Sequence, residues 1–287
     1  MPGPFNNSTD LSLIAGRLRR WSSLYSANIL LCLGAIVAGV LLAVTAPSIE
    51  RGERLIVGNA GGTLAVVFEL ADSRILVGAG ASRSHSADLI GRTTRPWDRE
   101  IDLLIIPGWD DHHAAGALGL LERESVSSVA VAGLPGDSPI WTLLERESQE
   151  SNVPIRYLDG SHFLELNDST TLTLAALARS ADGAWLRLDH HGTRIDVVDA
   201  PDVTSARPDP RTLPPRNDHL LINTRGQQLP SGAEPKLSLM PAPFWQSDFP
   251  GDGSPYWAGI RRNEHIVLDL AEDGIRVDLD EVDVRDD

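Results

Sequence analysis

The sequence predicts an α/β fold: a four-layer αβ/βα sandwich preceded by one transmembrane helix. Three observations lead there. Short β-branched runs separated by polar turns recur in both halves of the chain, with helical segments placed to cover outer faces. The stretch Ile101–Arg123, IDLLIIPGWDDHHAAGALGLLER, reads as a buried strand, a tight loop and the start of a helix. Ala27–Ala46 carries no charge over 20 residues, and a helix needs about 20 apolar residues to cross a hydrocarbon core of ~30 Å.

Residues 1–26 read as a cytoplasmic segment. Arg17, Arg19 and Arg20 precede the apolar run, and the positive-inside rule places their side in the cytoplasm. Trp21 and Tyr25 suit the membrane interface. The remainder then faces outward, as the extracytoplasmic domain of a single-pass cell-membrane protein. Two other readings compete. Val44-Thr45-Ala46 could end a cleaved signal, although Pro47 would follow the cut and the run is long for a signal. A buried core helix is the third reading, and a helix uncharged around its full circumference disfavours it.

The body spans 54–279. Arg54–Gly58, Thr63–Leu70 and Arg74–Val77 read as an antiparallel meander, with turns at Gly61-Gly62 and Asp72-Ser73. Ser84–Arg92 reads as a helix. After the central strand Leu103–Ile106 and its helix come strand Ser128–Ala132, helix Pro139–Glu150 and strand Pro154–Leu158. The second half reads as strands Ser161–Leu166, Thr170–Leu177, Ala184–Asp189, Thr193–Val198, His219–Asn223, Leu237–Met240, Gly259–Arg262, His265–Leu270 and Gly274–Leu279. Asp202–Asn217 is a Pro- and Arg-rich loop, and 280–287 an acidic tail. Pro241–Trp245 and Pro255–Trp257 place aromatics in a Pro- and Gly-rich loop that could rim a pocket, dock a protein partner or pack as a lid.

The net charge is −15. Residues 1–50 contribute +1, from three arginines against Asp10 and Glu50, so the rest carries −16. Such a body has no general attraction for nucleic acid, which is bound through Lys and Arg neutralising phosphates. Cys32 is the only cysteine, so intrachain disulfides and cysteine zinc sites are excluded. No Gly-x-Ser-x-Gly elbow and no phosphate-binding Gly-x-x-x-x-Gly-Lys loop occurs.

What remains is the corner after Ile106. Asp110, Asp111, His112 and His113 crowd the carboxyl end of a buried strand, where open α/β sheets bind ligands. They are metal-ligand residue types, but Asp110 or Asp111 could equally cap the helix that follows. Asp189-His190-His191-Gly192 reads as a solvated turn or, less simply, a displaced His-His site. His85 with Arg83 could bind phosphate or lie on a surface loop.

These residues together resemble the metallo-β-lactamase fold and, within it, the soluble domain of the ComEC/Rec2 DNA-uptake competence proteins. The likeness lies in ordered pieces: Gly61–Val67, Arg74–Gly80, Asp102–Ile106 with Asp110, His113 and Gly116-Ala-Leu, Gly192–Val198, Asp218–Ile222, and Ile260–Arg262 through Asp269. It implies a centre of one or two metal ions, commonly zinc, which make hydroxide from water and polarise a phosphoryl or acyl oxygen. Carried over residue by residue, the family's ligands fall on Gly108, Asp110, His112, His113, Gly78, Ala200 (with Asp199 adjacent) and Thr224-Arg225. Only Asp110, His112, His113 and Asp199 retain donor side chains. The expectation is a catalytically impaired binding or accessory module without cofactor. The alternative is a phosphodiesterase-like hydrolase holding zinc or manganese on those four residues. The resemblance alone suggests nucleic acid as a partner.

Overall fold

The computed structural model describes residues 52–94, 98–108, 110–133, 137–176, 183–199, 219–225, 236–242, 256–271 and 274–277. The described residues all belong to one compact unit, 51–287. The apolar run 27–46 and the tail 280–287 lie outside the described residues. Among the described residues no helix is long and apolar enough to cross a membrane.

The first half of the body runs β1 (Arg54–Asn59), β2 (Leu64–Glu69), β3 (Arg74–Val77), α1 (Arg83–Thr93), β4 (Glu100–Ile101), β5 (Leu103–Ile106), α2 (Asp111–Leu121), β6 (Ser125–Val126), β7 (Val129–Ala132), α3 (Pro139–Glu150) and β8 (Ile155–Leu158). The second half runs β9 (Ser161–Asn167), β10 (Thr170–Ala176), β11 (Ala184–His190), β12 (Thr193–Asp199), β13 (His219–Asn223), β14 (Leu237–Pro241), β15 (Tyr256–Ile260), β16 (His265–Ala271) and β17 (Gly274–Val277). One mixed sheet has the order β17-β16-β1-β2-β3-β5-β7-β8, and a second has β15-β14-β13-β12-β11-β10-β9. The terminal hairpin β16–β17 therefore crosses back to extend the first sheet.

Strand periodicity explains the layers, because successive side chains point to opposite faces. On β1, β2 and β3, Leu55, Val57, Leu64, Val66, Phe68, Ile75 and Val77 point into the core between the sheets. Ile56, Ala65, Val67 and Leu76 point the other way, against Leu89 and Ile90 of α1, Leu118 of α2 and Trp141 of α3. Both faces of this sheet are covered, which is why its strands read as unbroken apolar runs. The second sheet contributes Leu172, Leu186, Leu188, Ile195, Val197 and Ile222 to the shared core.

All three described helices cover the first sheet, giving helix, sheet, sheet. The expected fourth layer would belong to the crossovers that the parallel pairs β12–β13, β13–β14 and β14–β15 require. Those segments, 200–218, 226–235 and 243–255, are outside the described residues. The strand expected at Gly259–Arg262 is instead β15, from Tyr256. Parallel pairing aligns Leu237 with Tyr256 and Pro241 with Ile260. The chain then turns through Asn263, whose φ is +65°.

Helix α2 approaches the turn after β3 more closely than a side chain would allow. A Cβ on Gly116 would lie 1.9 Å from the carbonyl oxygen of Ala79, and one on Gly119 2.2 Å from that of Arg83. Gly91, on α1, has open space at the same position. Alanine favours a helix over glycine by about 1 kcal/mol, so Gly91→Ala should raise stability by roughly 0.5–1 kcal/mol. Gly116→Ala should lower it by about 2 kcal/mol or more, since backbone must move to relieve the overlap. Chemical denaturation of the two variants checks the opposite signs.

Candidate functional site

Asp110 lies immediately before α2 and caps it, accepting from the backbone N–H of His113 at 3.0 Å. The cap is the bland role that Asp110 could have in sequence, and it is realised. It also aims the carboxylate at its own helix's third residue: Asp110 Oδ1 lies 2.7 Å from His113 Nδ1. On the other side of the ring, His113 Nε2 lies 3.2 Å from Asp199 Oδ2, at the end of β12. The imidazole thus stands between a carboxylate at the start of α2 and one at the end of β12.

The chain leaving β13 completes the arrangement. Thr224 Oγ1 donates to Asp199 Oδ2 at 2.6 Å. Arg225 spans both acids: Nε donates to Asp199 Oδ1 and Nη2 to Asp110 Oδ2, each at 2.7 Å. Every carboxylate oxygen and both ring nitrogens of Asp110, His113 and Asp199 are engaged. Leu64 N–H donates to the Thr224 carbonyl at 2.9 Å, so the same segment is pinned to the first sheet.

Protonation follows from this geometry. Burial alone would push the His113 imidazole down, but the charge of Asp199 and the hydrogen bonds to Asp110 and Asp199 outweigh it and raise the group to about 9. Burial would raise Asp110, yet His113 and Arg225 hold it well below the usual carboxylate range. Asp199 is lowered in the same way, against its burial, by His113, Arg225 and Thr224. Burial would also lower Arg225, and the two acids raise it further above its ordinary value. At neutral pH two carboxylates therefore face an imidazolium and a guanidinium.

Of the four expected ligands, Asp110, His113 and Asp199 converge and His112 does not. Consecutive helical residues point about 100° apart. With His113 turned inward, His112 is exposed on the first turn of α2. Thr224 and Arg225 are the members that donor-counting missed. Their sequence signal was their position, where the resembled family carries its last His-His pair. The strand expected to stop at Val198 extends to Asp199, so that acid, rather than Ala200, provides the carboxylate. The phosphate reading of Arg83 loses its free cation, since Arg83 Nη1 pairs with Glu122 Oε1 at 3.0 Å. His85 Nδ1 is 2.8 Å from Ser82 Oγ.

The Asp189–Gly192 segment also needs correction. β11 continues through His190, which is fully buried, and only His191 and Gly192 form the turn, both with positive φ. His190 and His191 lie close to Glu53, the residue before β1, with His190 Nε2 3.1 Å from Glu53 Oε2. Burial keeps the His190 imidazole below its ordinary value against the charge of Glu53. β11 and β12 are antiparallel, with His190 opposite Thr193 and Ala184 opposite Asp199. This second cluster is therefore at the other end of β12 from Asp199, roughly 20 Å away at ~3.3 Å per residue.

The raised His113 gives a pH signature. Its contribution to stability is fully present below its ordinary value near 6.5 and is lost as pH rises through about 9. Between pH 6.5 and 9.5 the native chain should lose roughly 3 kcal/mol that His113→Gln does not lose, read as denaturant midpoints at constant slope. Arg225→Met leaves buried Asp199 and partly buried Asp110 with one cation between them and should cost about 3 kcal/mol at pH 7, measured in the same way.

No family model matches the sequence, and no curated protein does. Among solved structures, the chain is similar to the metallo-β-lactamase fold protein YhfI from Bacillus subtilis, at 12% identity over 75% of this chain and 98% of that one, with a TM-score of 0.44. It is similar to human tRNase Z, short form, at 12% identity over 76% and 99%, with a TM-score of 0.46. It is similar to Zn2+-bound PqqB from Methylobacterium extorquens, at 13% identity over 58% and 72%, with a TM-score of 0.40.

Proposed function

We propose that this chain is a membrane-anchored, extracytoplasmic domain of metallo-β-lactamase type whose hydrolytic centre has been replaced by an ion-pair cluster, and that it serves as a binding or accessory module. One observation supports the reading above the others: the Arg225 guanidinium bridges Asp110 and Asp199, with His113 between the same two acids. A metal ion at this corner needs deprotonated donors with free lone pairs. Here the imidazole is held as a cation, and each acid oxygen already accepts a hydrogen bond. The donor set does not fit a catalytic ion. The cluster is close to charge-neutral, so it offers no field to gather an anionic substrate.

The anchor is the uncharged run 27–46, with residues 1–26 in the cytoplasm. The finer likeness to the ComEC/Rec2 soluble domain rests on the motif order alone, and the net charge of −15 weighs against nucleic acid as the partner. A second reading, a phosphodiesterase-like hydrolase with a rearranged site, draws on the convergence of Asp110, His113 and Asp199, three ligand-type side chains from the start of α2 and the end of β12.

Turnover separates the two readings. The purified full-length chain, supplied with Zn2+ or Mn2+, should hydrolyse a bis-aryl phosphodiester no faster than the metal-containing buffer. Metal-dependent turnover that disappears in His113→Ala would overturn the accessory reading and establish the hydrolase.

A further inference from the structure

We propose that Glu53, His190 and His191 form a binding site for a divalent transition-metal ion of the zinc class. The ion would tie the β11–β12 hairpin to the entrance of β1, with a fourth position left open to water. The site is independent of the Asp110–Asp199 cluster, which lies at the opposite end of β12.

The donor set comes first. Two imidazoles and one carboxylate are the ligands that zinc and its neighbours prefer, and three protein donors leave one position for water. One ligand atom from each of the three residues lies within 4.8 Å of the other two. Donors at ~2.0–2.1 Å from a tetrahedral ion sit roughly 3.3 Å apart. Glu53 Oε2 is 3.1 Å from His190 Nε2 and 3.9 Å from His191 Nε2, so small side-chain rotations close the site. The two rings meet edge to face, with centroids 4.5 Å apart.

The second observation is independent of the donor count. His190 is 0% exposed, and its Nε2 has no hydrogen-bond partner. Glu53 Oε2 lies 3.1 Å from it as an ion-pair neighbour. A buried nitrogen without a hydrogen bond costs about 1–3 kcal/mol, and this one lies beside the carboxylate that would share the ion. Its sister nitrogen is fixed: His190 Nδ1 lies 2.8 Å from Thr170 Oγ1. If the ring donates from Nδ1 to that hydroxyl, Nε2 keeps its lone pair for a metal, the outer-shell arrangement that orients ligating histidines.

The backbone holds all three donors from different directions. Glu53 is set by its carbonyl, which accepts from Leu270 N–H at 2.8 Å, and His191 by its N–H, which donates to the Ser169 carbonyl at 3.1 Å. Ser169 Oγ, 3.2 Å from His191 Nε2, is the one contact an incoming ion displaces. The side chains of Glu53 and His191 are 23% and 29% exposed, which leaves a path from solvent.

Zinc titration of the full-length chain tests this directly. The purified protein is stripped with a chelator, checked for native circular dichroism, and titrated with Zn2+ against a chromophoric competitor. One equivalent should bind, and the thermal midpoint should rise with free Zn2+ by mass action. Glu53→Gln and His191→Ala, both at partly exposed positions that should still fold, should each weaken binding on the order of 100-fold and abolish the midpoint shift. Co2+ should give a d–d absorption spectrum that is lost in the same variants. Absence of a stoichiometric site overturns the proposal. So does Zn2+ retained by the Glu53→Gln/His191→Ala double variant, or Zn2+ lost with His113→Gln but kept by His191→Ala.

Discussion

A buried carboxylate at the end of β12 and a partly buried one at the start of α2 must be neutralised together, and that constraint organises this corner of the fold. Asp110 belongs to the helix layer and Asp199 to the far sheet. His113 reaches them from α2 and Arg225 from the chain after β13, and Thr224 adds a neutral donor. Asp199 without its cations would be strongly destabilising at its depth. The cluster therefore fixes where α2 begins, how far β12 runs and where the chain after β13 must pass. The closeness of α2 to the turn after β3, possible because Gly116 and Gly119 lack side chains, brings His113 within reach of Asp199.

Much of the fold was legible because it rests on local pattern. The β-branched runs at Arg54–Val77 and Leu103–Ile106 name their strands directly, since a sheet buried on both faces tolerates nothing else. Asp110 was readable as a cap from its place before an apolar helix. The sheet order was not readable: β16 and β17 return to the first sheet through long-range pairing that no local period encodes. The start of β15 at Tyr256 is set by its register against β14; Tyr256 and Trp257 suit a strand, but the Pro and Gly around them read as loop.

The site was legible in its acids and His113 but not in Arg225. Counting donors looks for residues that could hold a metal, and it passes over an arginine paired with two of them. Arg225 follows a strand, where a lone arginine ordinarily reads as solvated. His112 misled for the opposite reason: it is the right residue type, pointed outward by the helical repeat. His190 sits next to the Gly192 turn signal, although its own residue ends β11. Its nearness to Glu53 joins distant parts of the chain and leaves no trace in either neighbourhood.

The bridging guanidinium has a consequence for how substitutions combine. Arg225 contacts Asp110 and Asp199 at once, and His113 lies between the same two acids. Residues that share partners in one network do not act independently. What is tolerated at any one of these four positions therefore depends on what stands at the other three.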